Sequence, residues 1–223
     1  MSVFDQNFLE FKIEPRYARL LHSAAKIIKA AQEETDSKNI YDPKKHSLVE
    51  TENREEFEEY QTRIRNLNNY IYYNSLLLVS YSIFEHCLED VCLFIDEKNL
   101  SQELYKKPER DILKENYMYL LGKTGLIELP DPELDRCYNE ISDANKLRNL
   151  IAHHNGNLIK DKDRALEKQV NYKVFNKNKS LSICKNGQIY INNPAYILDF
   201  IHIFHKFLYI IIEKIKIKMN SEN

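Results

Sequence analysis

The sequence predicts a mostly α-helical protein with one small β-hairpin placed before its last helix. Three observations carry this. Only 4 Gly and 6 Pro occur in 223 residues, too few turn formers for a sandwich, a barrel or a doubly wound sheet. Long stretches repeat apolar residues at three- and four-residue steps, the spacing of one helical face. A single Asn186-Gly187 pair lies between alternating apolar residues, a two-residue hairpin signal. The length suits one domain over 1–223 with a substantial core. Within it we expect an N-terminal helical extension over 1–69, a core bundle over 70–156 and 194–218, and a basic hairpin insert over 157–193.

The first helix is expected from Pro15, where a first-turn proline is tolerated, to about Glu34, with Tyr17, Leu20, Leu21, Ala24, Ala25, Ile28 and Ala31 on its apolar side. Asp36 to Ser47, with Asn39, Asp42 and Pro43, reads as a loop. A second helical pattern opens near Thr51 and runs to about Lys98 without Gly or Pro, with a break expected near Asn66 to Asn69. Its part from Tyr73 to Ile95 is apolar on nearly every side, as a central core helix should be. Pro108 is expected to open a helix reaching about Leu121 and closed by Gly122 and Gly125. Pro130 and Pro132, followed by carboxylates up to Asp135, announce a helix from about Pro132 to His154, with Gly156 as its stop. Tyr172 to Ile191 holds short β-favouring runs, and Pro194 begins a last helix to about Lys218.

Lys+Arg 32 against Asp+Glu 34 gives a formal net charge of -2, which speaks against coating duplex DNA by bulk electrostatics and leaves room for local patches. Cys87, Cys92, Cys137 and Cys184 have no C-x-x-C spacing, and the first residues carry Asp5 and Glu10 instead of a basic then apolar leader. The expectation is a reduced, cytoplasmic chain. The apolar stretch Ala195 to Ile217 is interrupted by Asp199, His202, His205, Lys206, Glu213 and Lys214, each costly in hydrocarbon, so it reads as a core helix and no membrane partner is expected.

Several patterns do not carry chemistry. Gly122-Lys123-Thr124 resembles the end of a phosphate loop, but Tyr117 stands where the pattern needs Gly, so the stretch reads as a helix stop. His202 and His205 have no paired ligand cluster by spacing and, among Phe200, Ile201, Phe204 and Phe207, read as interface or core histidines. No metal and no cofactor are expected. Cys87 and Cys92 read as small buried thiols.

One stretch does more. On the helix ending at His154, Ile141, Ala144, Leu147, Leu150 and Ile151 form the apolar stripe, while Asn145, Arg148, Asn149 and His153 fall on the opposite arc with the small Ala152 between them. His154 rotates toward the stripe and reads as a packed or helix-ending residue. In the last turn the helix dipole favours a protonated His153. A guanidinium beside a proton-transferring imidazole can hold and cleave a phosphodiester. An Arg and a His that merely cap a helix end are the competing reading.

The spacing Arg148-Asn149-Leu-Ile-Ala-His153 resembles the Arg-x4-His motif of the HEPN superfamily, the higher eukaryotes and prokaryotes nucleotide-binding domain. The order of elements is similar too, with an apolar central helix holding Tyr81 to Glu85, a motif helix followed by Gly156, and a closing amphipathic helix; the chain looks like the RiboL-PSP and MAE_28990-type HEPN proteins of microbial defence systems. The resemblance implies a HEPN-like helical bundle in which Arg148 binds the scissile phosphate, His153 moves protons and Asn149 orients them, with Asn145 and Glu85 in support; Glu85 reads either as a partner that holds Arg148 or as an exposed helix carboxylate. It implies a homodimer with a composite cleft, and a metal-independent endoribonuclease, a hydrolase of toxin–antitoxin or antiviral defence. Asn155 departs from those members that carry, two residues after the His, a tyrosine modified by a partner nucleotidyltransferase.

Ile141 to Tyr190 holds ten Lys and Arg against four Asp and Glu, a net +6 that leaves -8 elsewhere. With Tyr172, Phe175 and Tyr190 among its lysines, this segment reads either as an RNA-contacting flap or as an ordinary solvated hairpin. The expected partners are RNA, a second copy of the chain, and an antitoxin or neighbouring defence protein. The rival functional reading is a non-catalytic HEPN-like sensor or adaptor that dimerises and binds a partner or nucleotide.

Overall fold

Four long helices dominate the computed structural model, which describes residues 3–37, 51–124 and 131–221. The expected loop from residue 38 onward, Gly125 and Pro130 lie outside the described residues. In order come α1 (Val3–Ser37), α2 (Thr51–Glu97), α3 (Ile112–Met118), α4 (Pro132–His154), α5 (Tyr172–Asn176), β1 (Leu181–Ile183), β2 (Ile189–Ile191) and α6 (Ala195–Ser221). A mostly helical chain with a two-stranded antiparallel hairpin before the last helix is therefore what forms.

Two helices are longer than expected. Pro15 lies inside α1 instead of opening it. It deprives the Phe11 carbonyl of its helical donor, and burial of Ile13 and Leu20 on either side offsets that cost. The break expected near Asn66 to Asn69 is absent, and α2 runs through; asparagines cost a helix only tenths of a kcal/mol each, whereas Gly or Pro would cost about 1–3. α3 begins later than Pro108, after Asp111 in a left-handed conformation at φ 49°. It passes into a π-turn over Tyr119–Lys123, and Thr124 Oγ1 closes it by donating to the Leu120 carbonyl at 2.5 Å. α4 occupies the predicted span, with Pro132 at its first position and Asp131 accepting from the Leu134 N–H at 3.0 Å.

The chain divides into two units. The first comprises Met1–Leu21, Val79–Lys146 and Asp199–Asn223. Its core is aromatic. Tyr81 stacks on Phe200 with centroids 5.6 Å apart, Phe84 meets Phe200, Phe204 and Phe207, and Tyr117 stacks on Tyr138 at 4.1 Å. Rings buried to this degree contribute about 1.5–3 kcal/mol each. α6 is long and apolar enough to cross a membrane by length and composition, but its Phe200, Phe204 and Phe207 are buried in this core. Its four lysines are all engaged within the unit: Lys206 with Glu133, Lys214 with Asp131 at 2.8 Å, Lys216 with Glu213 at 3.0 Å, and Lys218 with the carbonyls of Leu100 and Thr124 at 3.0 and 2.5 Å. His202 and His205 join α6 to α1. Tyr17 Oη lies 2.8 Å from His202 Nδ1, the Tyr17 ring stacks on His205 at 3.8 Å, and His205 Nε2 lies 2.7 Å from Glu14.

The second unit comprises His22–Leu78 and Leu147–Leu198. Here the β-rich reading of Tyr172 onward is corrected in part, because Tyr172–Asn176 is one helical turn, α5. The hairpin turn also differs from the two-residue form. β1 and β2 pair Ile183 with Ile189, the Gly187 N–H donates to the Cys184 carbonyl at 2.8 Å, and the Cys184 N–H donates to the Gln188 carbonyl at 2.9 Å. Gly187 alone takes positive φ, at 81°. A three-residue loop with glycine in the left-handed bulge therefore replaces the two-residue turn, which needs positive φ at Asn186 as well.

Asp131 caps α4 and is paired with Lys214, and the hydrogen bonds from Lys214 and from the Leu134 backbone hold its carboxyl below the ordinary value of 3.8. Because the folded-state value is the lower one, this contribution is complete above the ordinary range and is lost as pH falls through the depressed value. Asp131→Ala is expected to destabilise the fold by about 1–2 kcal/mol in urea melts at pH 7, with the difference from the parent shrinking below pH 4 or so.

Candidate active site

α4 carries the whole polar strip, and its burial pattern agrees with the helical arc drawn from the sequence. Ile141, Ala144, Leu147, Leu150 and Ile151 are buried, whereas Arg148 and Asn149 are half-buried and His153 is exposed. Asn145 is half-buried on the part of α4 that belongs to the first unit. Arg148 Nη1 donates to Asn149 Oδ1 at 2.7 Å, so the guanidinium is laid against the residue expected to orient it. That bond is charge-assisted and short. His154 is exposed, not packed against the stripe; it ends the helix, and its carbonyl accepts from the Asn157 N–H at 2.9 Å. Glu85 lies on α2 in the first unit, half-buried on the wall of a small cavity with His86 and Glu89.

The end of α4 is built from three directions. Asn155 and Gly156 both take positive φ, at 49° and 73°, and this double left-handed turn bends the chain back until the Gly156 N–H reaches the Leu150 carbonyl at 3.0 Å. Asparagine and glycine are the residues that adopt this conformation at least cost. The exposed Asn155 carbonyl then collects two donors, Tyr70 Oη from α2 and Gln188 Nε2 from the hairpin, the latter at 2.8 Å. The next residues are laced to the hairpin. The Ile189 N–H donates to the Gly156 carbonyl at 3.0 Å, the Leu158 N–H to the Gly187 carbonyl at 2.9 Å, and Asn157 Nδ2 to the Asn186 carbonyl at 3.1 Å. Tyr70 also meets Tyr190 edge-on, with centroids 5.7 Å apart.

The basic segment beyond the motif is ordered by a buried amide. Gln169 Nε2 donates to the carbonyls of Asp161 at 2.6 Å and Arg164 at 3.1 Å. Lys160, Lys162, Arg164, Lys168, Lys173, Lys177, Lys179 and Lys185 are all exposed. Of the aromatics expected to stack on bases, Phe175 does not qualify, because it is 2% exposed and forms part of the unit's core. Tyr172 and Tyr190 are half-buried.

Tyr70 and Gln188, which hold the backbone two residues beyond His153, are the participants that the sequence reading missed. No periodicity marks them. Each acts across a separation of 33 residues or more, and only the positive-φ pair Asn155-Gly156 hinted that the helix end was a junction. No protein-family model, no curated protein and no solved structure matches the chain.

A Cβ on residue 156 would lie 2.9 Å from Gln188 Nε2 and 3.3 Å from Tyr70 Oη, on a backbone at φ 73°. Gly156→Ala is therefore expected to destabilise the fold by more than about 1 kcal/mol. Gly122→Ala, whose added methyl meets nothing within 4 Å, is the control and should cause no loss in the same thermal melts.

Proposed function

We propose that the chain is a metal-independent endoribonuclease of HEPN-like type, working as a homodimer in a toxin or phage-defence setting in the cytoplasm. The observation that supports this best is the pairing of the half-buried Arg148 and Asn149 on the same ridge of α4 as the exposed His153. In the proposed reaction His153 accepts the proton of the ribose 2′-hydroxyl, whose oxygen attacks the adjacent phosphorus. Arg148 stabilises the charge that builds on the non-bridging oxygens. The second copy of the ridge supplies the proton for the leaving 5′-oxygen, and the product ends in a 2′,3′-cyclic phosphate. Neither a covalent enzyme intermediate nor a bound metal is needed for these steps.

The exposed lysines after the motif support an RNA substrate by phosphate attraction, with Tyr172 and Tyr190 the aromatic groups placed among them. The lacing of the α4 terminus to the hairpin supports the same reading from another side, since a proton-transferring group must be held steady relative to the phosphate.

Purified protein mixed with total RNA and a chelator is expected to produce fragments with cyclic phosphate ends, and Arg148→Ala or His153→Ala should each slow cleavage at least about a hundredfold. Intact RNA at high protein concentration, or a strict monomer by light scattering, would favour the sensor or adaptor role instead. Lys177→Glu with Lys179→Glu is expected to raise KM several-fold with little change in kcat, and to flatten the salt dependence of RNA binding.

A further inference from the structure

A cavity of about 380 Å³ opens in the first unit, beside the segment that leads into α3. Small-molecule pockets run from about 300 to 1,000 Å³, so this one suits a small ligand. The segment is pinned as a wall. The Tyr105 N–H donates to Asp96 Oδ1 at 2.8 Å, Tyr105 Oη donates to Asn116 Oδ1 at 2.9 Å, and Lys107 Nζ lies 2.7 Å from Glu89. From α3, Glu115 and Met118, three residues apart and therefore on one face, line the cavity. Tyr119, the first residue of the π-turn, lines it as well and meets Tyr105 with ring centroids 5.2 Å apart. Single π-turns are found most often at functional sites. The apolar lining is reachable from solvent, because Leu104 is 77% and Met118 52% exposed.

The charges around the cavity select the ligand. Lys107 is matched by Glu89, and Glu103 is likewise engaged. Lys106, Glu109, Arg110 and Glu115 are exposed, and among the described residues none of the four has an ion pair or a side-chain hydrogen bond. Two cations and two carboxylates thus surround an apolar lining. A ligand of one sign, such as a phosphate or a polyamine, would meet two like charges there. A zwitterion with an apolar body satisfies both signs and the lining together.

We propose that this cavity binds a free α-amino acid with a large apolar side chain. Its carboxylate is taken by Arg110, whose planar fork matches two carboxylate oxygens, its ammonium donates to Glu115, and its side chain packs on Leu104, Met118 and Tyr119. Lys106 and Glu109 add one charge of each sign at the rim. This inference does not rest on the ribonuclease reading, since binding alone tests it.

Isothermal titration of the full chain with L-leucine and L-phenylalanine is expected to show saturable binding. Leucinamide, which lacks the carboxylate, and 4-methylpentanoate, which lacks the ammonium, should each bind at least about tenfold more weakly than leucine. Arg110→Gln and Glu115→Gln, both at exposed positions, should each weaken leucine binding about tenfold. The Arg110 variant should no longer distinguish leucine from leucinamide, and the Glu115 variant should no longer distinguish leucine from 4-methylpentanoate. Lys114→Gln, which alters a charge outside the cavity, should leave binding unchanged. No saturable binding of leucine or phenylalanine up to about 10 mM, binding of either analogue as tight as that of leucine, or unaltered binding in both cavity variants would overturn the proposal.

Discussion

Everything that places the proposed catalytic ridge depends on how α4 ends. A helix terminus leaves its last carbonyls without intrahelical donors, and here the solution is a pair of left-handed residues, Asn155 and Gly156, that turn the chain sharply. The carbonyl thereby exposed is held by a phenol from α2 and an amide from the hairpin. His153 thus stands two residues from a point fixed by three elements. A side chain at the end of a helix would ordinarily share in its fraying, and this arrangement removes that freedom at the position where proton transfer is proposed.

The first unit solves a different problem. Its last helix is apolar enough to pass for a membrane span, and yet it carries Lys206, Lys214 and Lys218. Each of these reaches an anionic or carbonyl partner, two of them at the start of α4. The same contacts that make the charges affordable therefore secure the N-terminus of α4, where carboxylates already complement the helix dipole. Tyr17, His202, His205 and Glu14 perform the corresponding task for α1, which explains why histidines spaced like ligands are spent on joining helices.

Much of the fold was legible because it is written in local pattern. The limits of α4, the existence of the hairpin and the final helix follow from capping residues, Asn-Gly punctuation and periodicity, which act over a few residues. The deviations have equally physical origins. Pro15 belongs inside a helix because packing outweighs one lost hydrogen bond, and α2 continues through its asparagines because none of them breaks a helix outright. Asn186-Gly187 marked a turn but not its geometry, since both loop types use a glycine at that point. In the site, the arc joining Arg148, Asn149 and His153 could be drawn from helix geometry alone. Tyr70 and Gln188 could not, because their roles arise from contacts between segments distant in sequence.

The hairpin turn carries one more consequence. Cys87, Cys92 and Cys137 are buried, and desolvation pushes their thiols up, away from the ionised form that reacts with electrophiles. Cys184 alone faces outward, at the residue whose backbone closes the loop beside Gln188. Alkylating chemistry on the folded chain is thereby confined to a single sulfur, and that sulfur sits four residues from the amide that steadies the end of α4, a natural attachment point for a dye that reports on the proposed catalytic ridge.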